Sequence, residues 1–334
     1  MKFDKSNFYS YFFLVDTIDI ALASLCFVTT REKKLLKKNI DSLDCLALLS
    51  IEDISSIVGR PLRTDWNGPC VKALAEKSLG IMESKGIKCS VIGEDYGDGG
   101  VFYPAILETI NDPPYAFFYR GDIQVLLMKK CVSVVGTRNV NQETARAAMD
   151  FSREAASHGL TVVSGLANGT DAFAHRGALD SGSHGSTVAV LPCGIESIVP
   201  YGNRGLASSI LKDGGLLCSE YIPGTPAEPW RYIQRNRIIA ALSGATVVVH
   251  APKGSGALIT ADFAINYGRE LMFHSAGLAA NAKKTDSNVS GKKATAERFV
   301  EDGAPIIESY ADYVRVMENP PGTLSVKDRQ LELF

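Results

Sequence analysis

Charge of one sign is what this chain most conspicuously lacks. Its 35 Lys and Arg against 37 Asp and Glu leave a formal net charge of −2. Nothing global therefore attracts a polyanion, and any nucleic-acid site must be a local patch. Paired cysteine motifs are absent too. Seven cysteines are scattered, with no C-x-x-C and no Cys/His group at zinc spacing, which excludes a disulfide framework or a zinc module. Cys131, Cys193 and Cys218 sit in strand-like runs, where packing explains them better than chemistry. The cysteine pattern is that of reduced thiols in the cytoplasm. No secretory signal is evident. Phe8 to Val28 is apolar, but Asp16 and Asp19 interrupt it, and a charge at mid-membrane is costly. That stretch is read as a buried helix, and no contact with a membrane is expected. The G-x-G-x-x-G fingerprint, the G-x-x-x-x-G-K-[ST] P-loop and the G-x-S-x-G elbow are all missing. A nicotinamide enzyme, a Walker-type ATPase and an α/β-hydrolase are thereby disfavoured.

What is present divides in two. The length of 334 residues fits two domains. Residues 1–105 read as an N-terminal helical domain, with candidates at Phe8–Thr29, Arg31–Ile40, Leu43–Val58 and Val71–Lys85 separated by Gly/Pro breaks. From 106 to 317, short apolar strands alternate with helices. Tyr115–Arg120 is strand-like. Strands are expected at Val132–Val135, Leu160–Ser164, Thr187–Leu191, Gly215–Glu220, Thr246–His250 and Leu271–His274, and helices at Glu143–His158, from Asp171, at Ile233–Leu242 and at Ile259–Tyr267. This alternation predicts an α/β, Rossmann-like, doubly wound and mostly parallel sheet. Residues 279–296 read as a polar surface loop, Phe299–Met317 as a last strand and helix, and 318–334 as a tail.

The loops following successive strands gather at one edge of such a sheet, where open α/β folds bind ligands. They carry Gly136-Thr137-Arg138, then Ser164-Gly165 through Asn168-Gly169 to Asp171, then Asn203, Ser219-Glu220, and Ser255-Gly256 with Thr260. Glycines let a ligand approach the backbone, helix starts offer N–H groups to anions, and Arg138 is a cation suited to phosphate. Arg235-Asn236-Arg237 opens a helix, and its two Arg point to different sides, so that one can reach a ligand while the other braces a carboxylate. Asp171 and Glu220 have two readings. They are a carboxylate pair for acid/base work, or Asp171 caps its helix and Glu220 pairs with an Arg. The second is favoured, with His175 a structural neighbour.

These motifs, in this order, resemble the family of DNA-processing protein A, also called Smf or DprA. The resemblance rests on Gly136-Thr137-Arg138, Ser164 to Asp171 with Ala174-His175, Ala189 through Gly194 with Pro200 and Asn203, Ser219-Glu220, Arg235 to Ala240, and Ser255 to Ala261 with Gly268-Arg269; Tyr103-Pro104 and Asp112 to Asp122 fit upstream. It implies an extended Rossmann-like domain that binds single-stranded DNA without cleaving it, dimerises, and helps to load RecA recombinase on incoming strands in natural transformation. It implies no cofactor, no metal and no catalytic residue. The N-terminal domain would be a divergent version of the family's helical, SAM-like one, and no winged-helix domain is expected in the tail. The family often has a basic residue where Asn168 stands. Phe173 and Tyr201 are the candidate base-stacking rings.

The alternative is an enzyme, a nucleotide phosphoribohydrolase similar to the lysine decarboxylase-like proteins. Those carry Pro-Gly-Gly-x-Gly-Thr-x-x-Glu, whereas this loop reads Pro252-Lys253-Gly254-Ser255-Gly256-Ala257-Leu258-Ile259 and lacks the Glu. A third reading is a nucleotide-sensing scaffold with no role at DNA.

Overall fold

A computed structural model of the chain describes residues 15–94, 103–128, 130–282 and 295–319. The N-terminal part is a set of five capped helices, α1 (Thr17–Ser24), α2 (Thr30–Asn39), α3 (Leu43–Leu48), α4 (Ile51–Val58) and α5 (Gly68–Lys85). Side-chain caps set their limits. Thr29 and Glu32 form a capping box at the start of α2. Ser50 does the same with Asp53, which splits the single helix expected over Leu43–Val58 into α3 and α4. The helix expected over Phe8–Thr29 is only eight residues long where it is described, because Asp16 caps its start, accepting from Ile18 N, and the backbone turns extended at Leu25. Its first residues, up to 14, and the tail from 320 lie outside the described residues.

The helical reading of residues 1–105 needs one correction. After Gly86 ends α5 in the left-handed conformation, with φ 61°, Lys88–Val91 forms a strand, β1. It pairs antiparallel with β2 (Ala116–Gly121). The alternating run from Ile87 to Ile92, following a Gly stop, carried the strand signal.

From residue 105 on, strands and helices alternate as expected, with further helices at Arg204–Lys212 and Ser275–Ala282, the second of which runs into the stretch 279–296 expected to be a surface loop. Short helix α6 (Ala105–Glu108) precedes β2, and α7 (Gln124–Leu127) follows it. Then come β3 (Cys131–Gly136), α8 (Gln142–Ser157), β4 (Thr161–Ser164), α9 (Thr170–Asp180), β5 (Thr187–Val190), α10 (Arg204–Lys212) and β6 (Leu216–Ser219). After them run α11 (Pro229–Ala241), β7 (Ala245–His250), α12 (Gly256–Asn266), β8 (Glu270–His274), α13 (Ser275–Ala282), α14 (Ala296–Glu301), β9 (Ile306–Ile307) and α15 (Tyr310–Glu318). The strand order is β1-β2-β6-β5-β4-β3-β7-β8-β9. The seven strands from β6 to β9 are parallel, and β2 and β1 add an antiparallel edge.

Period-2 alternation explains why both faces are covered. On β3, Val132 and Val134 face α8, α9 and α15 in one core. Ser133 faces the other side, where its hydroxyl donates to Ile239 O on α11 at 2.7 Å. That second core is continuous with the N-terminal helices, since Ile18, Leu22, Leu36 and Leu46 share it with Phe117 and Phe118 of β2. Polar ties cross the same seam, such as Tyr115 Oη to Asp19 Oδ1 at 2.7 Å and Ser78 Oγ to Pro223 O at 2.7 Å. Among the described residues no helix is long and apolar enough to cross a membrane.

From β3 the chain winds through β4 and β5 to β6 on one side, then returns to lay β7, β8 and β9 on the other. The direction reverses between β3 and β7, and a crevice opens there at the carboxyl ends of the strands.

Candidate nucleic-acid interface

A cleft of about 660 Å³ occupies that crevice, a size that suits a nucleotide. Three walls form it: Val135 to Arg138 after β3, Pro252 to Gly256 with Ala257 and Thr260 after β7, and the face of α11 that carries Pro229, Tyr232, Ile233, Arg235, Asn236 and Ile239. Ala167 and Asp171 close the floor. The charged side chains lining it are Arg138, Arg235 and Lys253 against Asp171 alone. A nearly neutral chain thus concentrates positive charge in this crevice, the local patch that the composition requires.

Backbone closeness builds the floor. Gly136 leaves no room for a Cβ, because Thr170 Oγ1 and His250 O lie against it. Thr137 N donates to His250 O at 2.7 Å, and Thr170 N donates to Thr137 O at 3.1 Å. Gly169 has φ 77° and packs on the carbonyls of Thr137 and Arg138, so only glycine brings the β4 loop this near to the β3 loop. Leu166 holds φ 58°, a left-handed conformation unusual for a branched side chain. Its carbonyl is held by Asn203 Nδ2 at 2.8 Å.

The expected site residues therefore separate. Gly136, Thr137, Arg138, Asp171, Arg235, Asn236, Ser255, Gly256 and Thr260 line the cleft. Ser164, Gly165, Gly169 and Asn203 support it from beneath or behind: Ser164 Oγ donates to Val134 O at 2.7 Å. Asn168 is exposed beside Asn203, 3.4 Å from its amide. Arg237 is not in the cleft. Adjacent helical residues point about 100° apart, and Arg237 turns to the far side of α11, where it pairs with Glu220. Arg235 is 3% exposed and spends its guanidinium on Gly165 O and Val190 O, braced from below rather than reaching outward. Of the Arg-Asn-Arg triplet, the Asn carries the outward polar group, with Nδ2 donating to Gly256 O at 3.2 Å.

Asp171 does not cap its helix; Gly169 stands at that position. Its carboxylate instead accepts from Ala167 N at 3.4 Å, and burial pushes its pKa up against the pull of Arg235. Glu220 pairs with Arg237 as the structural reading expected, so the two carboxylates serve different partners and form no acid/base couple. His175 is fully buried, with Nδ1 2.7 Å from Thr187 Oγ1.

Tyr232, Ile233 and Lys253 were not among the expected site residues. Arg138 lies over the Tyr232 ring, 5.1 Å from its centroid, and Ile233 is 48% exposed. The signal for Tyr232 and Ile233 was Pro229, since proline favours the first helical turn; α11 starts there and not at Ile233. The two rings expected to stack lie outside the cleft lining. Phe173 packs on the core with Arg176 over it, and Tyr201 stacks under Arg204 at 4.0 Å. Among the described residues no cluster of His, Cys, Asp or Glu is placed to hold a metal ion.

The family model of DNA recombination-mediator protein A matches residues 99–318, which take in the whole cleft. The chain belongs to that family. It is 31% identical over 248 residues to Protein Smf of Borreliella burgdorferi, covering 74% of this chain and 76% of that protein. It is 36% identical over 169 residues to DNA processing protein DprA of Bacillus subtilis, covering 51% of this chain but only 56% of that protein. Among solved structures it is similar to DprA of Streptococcus pneumoniae, with 27% identity, a TM-score of 0.67, and coverage of 90% of this chain and 98% of that one. The family match confirms the resemblance that the motifs carried.

Proposed function

We propose that the cleft between β3, β7 and α11 holds a segment of single-stranded DNA, and that the chain acts in the cytoplasm as a non-catalytic mediator that delivers such strands to a RecA-type recombinase. The observation that carries this is the charge of the cleft: Arg138, Lys253 and Arg235 against Asp171, in a chain whose net charge is −2. Phosphates neutralise such a patch and release counterions. The family's role in DNA recombination supports the same reading. A homodimer would set two clefts side by side, so that one strand engaging both gains by effective concentration. We further propose that residues 1–105 act as a distinct functional domain beside the DNA-binding core of 106–317.

Acid/base chemistry finds little support. Asp171 holds a loop amide, Glu220 is committed to Arg237, and His175 is sealed in the core. Fluorescence anisotropy with labelled oligo-dT of increasing length, at two salt concentrations and with duplex competitor, tests the reading. Tight, salt-sensitive binding that grows with length and resists duplex is expected. Binding of mononucleotides alone, or their hydrolysis, would overturn it in favour of a sensor or an enzyme.

A further inference from the structure

Two of the three walls of the cleft are helical, α11 and the start of α12, and they touch through a hydrogen bond at its mouth, Asn236 Nδ2 to Gly256 O. Behind the cleft a second tie joins them, and it runs through a residue of neither helix. Asp112 lies in the Asp-Pro-Pro turn before β2. Its Oδ1 accepts from the hydroxyl of Tyr267, which caps α12, at 2.6 Å. Its Oδ2 lies 3.4 Å from Arg237 Nε on α11, and its main-chain carbonyl accepts from Arg237 NH1 at 2.6 Å. Tyr267 stands eleven residues beyond Gly256, about 16 Å along the helix, so the two ties fix α12 near both ends. Arg237 cannot swing away, because Glu220 holds it from the other side. The same turn region gains a further anchor in Arg269, whose NH2 donates to Thr109 Oγ1 at 2.7 Å, to Ile106 O at 3.1 Å and to Ala241 O, near the end of α11, at 3.3 Å.

Resting on the single-strand reading, we propose that Asp112 is a positioning residue for the cleft: by bridging Arg237 and Tyr267 it ties the two helical walls together from behind and sets the spacing between Asn236 and Gly256 in front. A bridge of this kind transmits a change at the back of a helix pair to its front, since packed helices move as rigid bodies.

The sign of the effect separates positioning from charge. Removing an anion near a site for a polyanion strengthens binding if only electrostatics act; loosening the walls weakens it. The test is oligo-dT anisotropy at two salt concentrations on the full chain, with the wild type, Asp112→Ala, Tyr267→Phe and the double variant. Asp112→Ala and Tyr267→Phe are each expected to weaken binding by about three- to tenfold. The double variant should bind no worse than Asp112→Ala, since both break one bridge. The salt slope should stay at the wild-type value, since no phosphate contact is lost. Tyr267→Phe removes only a hydroxyl, and decides the matter if Asp112→Ala melts below the assay temperature. Wild-type affinity or tighter binding in a folded Asp112→Ala, independent additive losses, or a lowered slope would each overturn the inference while leaving single-strand binding intact. A wild-type chain that ignores oligo-dT would overturn the functional reading and this inference together.

Discussion

The guanidinium of Arg235 lies directly beneath Gly165, and donates to the carbonyl of that same residue at 2.7 Å. A Cβ on Gly165 would overlap all three guanidinium atoms nearest to it. Arg235 cannot retreat, since it also donates to Val190 O and is buried on every side. Gly165→Ala should therefore expel Arg235 or distort the β4 loop. A loss of about 1–3 kcal/mol is expected from overpacking of this sort, readable in urea unfolding as a lower midpoint with an unchanged m-value. Single-strand affinity should fall with it. A variant as stable as the wild type would show that the loop and Arg235 are not locked together.

Arg138 and Arg237 occur in equally prominent motifs, and substitution should tell them apart. Arg138 is exposed at the cleft, over Tyr232. Arg138→Ala should lower the salt slope of DNA binding by about one and leave stability within about 0.5 kcal/mol. Arg237→Ala leaves Glu220 buried without its partner, which costs about 3–5 kcal/mol in comparable cases, so thermal unfolding should move far more than the slope. The opposite pattern, a lowered slope in Arg237→Ala and none in Arg138→Ala, would mean that the cleft is not where phosphates bind.

Much of this molecule was legible in its sequence because the parallel sheet is buried on both faces. Such strands read as short apolar runs, and the loops after β3, β4, β5 and β7 are flagged by glycine. The family motifs fall on those same loops. What sequence could not give is direction. Arg235, Asn236 and Arg237 are consecutive, yet helical geometry sends one under the floor, one into the cleft and one behind it. Asp171 sits where a cap would, but the left-handed turn at Gly169 takes that position and frees the carboxylate for the loop. β1 was legible only as the short alternating run after Gly86, too brief to stand out from the helices before it, and its partner β2 lies some thirty residues on.

His175 makes the fold acid-sensitive. Thr187 spends its hydroxyl proton on Val162 O at 2.7 Å, so the imidazole donates from Nδ1. Nε2 is buried without a partner among the described residues. Protonation would place an unpaired cation in the core near Arg235, and burial holds the imidazole pKa down to about 3. The unfolded chain titrates near 6.5, so it binds more protons than the fold does between these values. Stability is thus complete above pH 6.5 and declines as the pH falls towards 3, by about 2 kcal/mol at pH 5 from this one group. His175→Asn keeps a donor for Thr187 and cannot titrate. Its unfolding free energy should vary less between pH 7 and pH 5 than that of the wild type, and an equal slope in both would remove His175 as the cause.

Tyr232 gives the cleft a ring that phosphate binding alone does not require. It stands on α11 between Arg138 and the exposed side chain of Ile233, both lining the same cleft. Exposed arginine on an aromatic face is worth about 0.5–1 kcal/mol, whereas a base stacked on an aromatic contributes about 1–3 kcal/mol. A base is therefore able to displace or share the Arg138 contact. Stacking is indifferent to base identity and to salt, so Tyr232→Ala should weaken oligo-dT and oligo-dA alike by about tenfold to a hundredfold, with little change in the salt slope. Tyr232→Phe keeps the ring and should bind as the wild type does. Anisotropy on the three proteins checks this directly. A loss in Tyr232→Phe equal to that in Tyr232→Ala would assign the contact to the hydroxyl, and an unaltered Tyr232→Ala would leave the cleft a site for backbone phosphates alone.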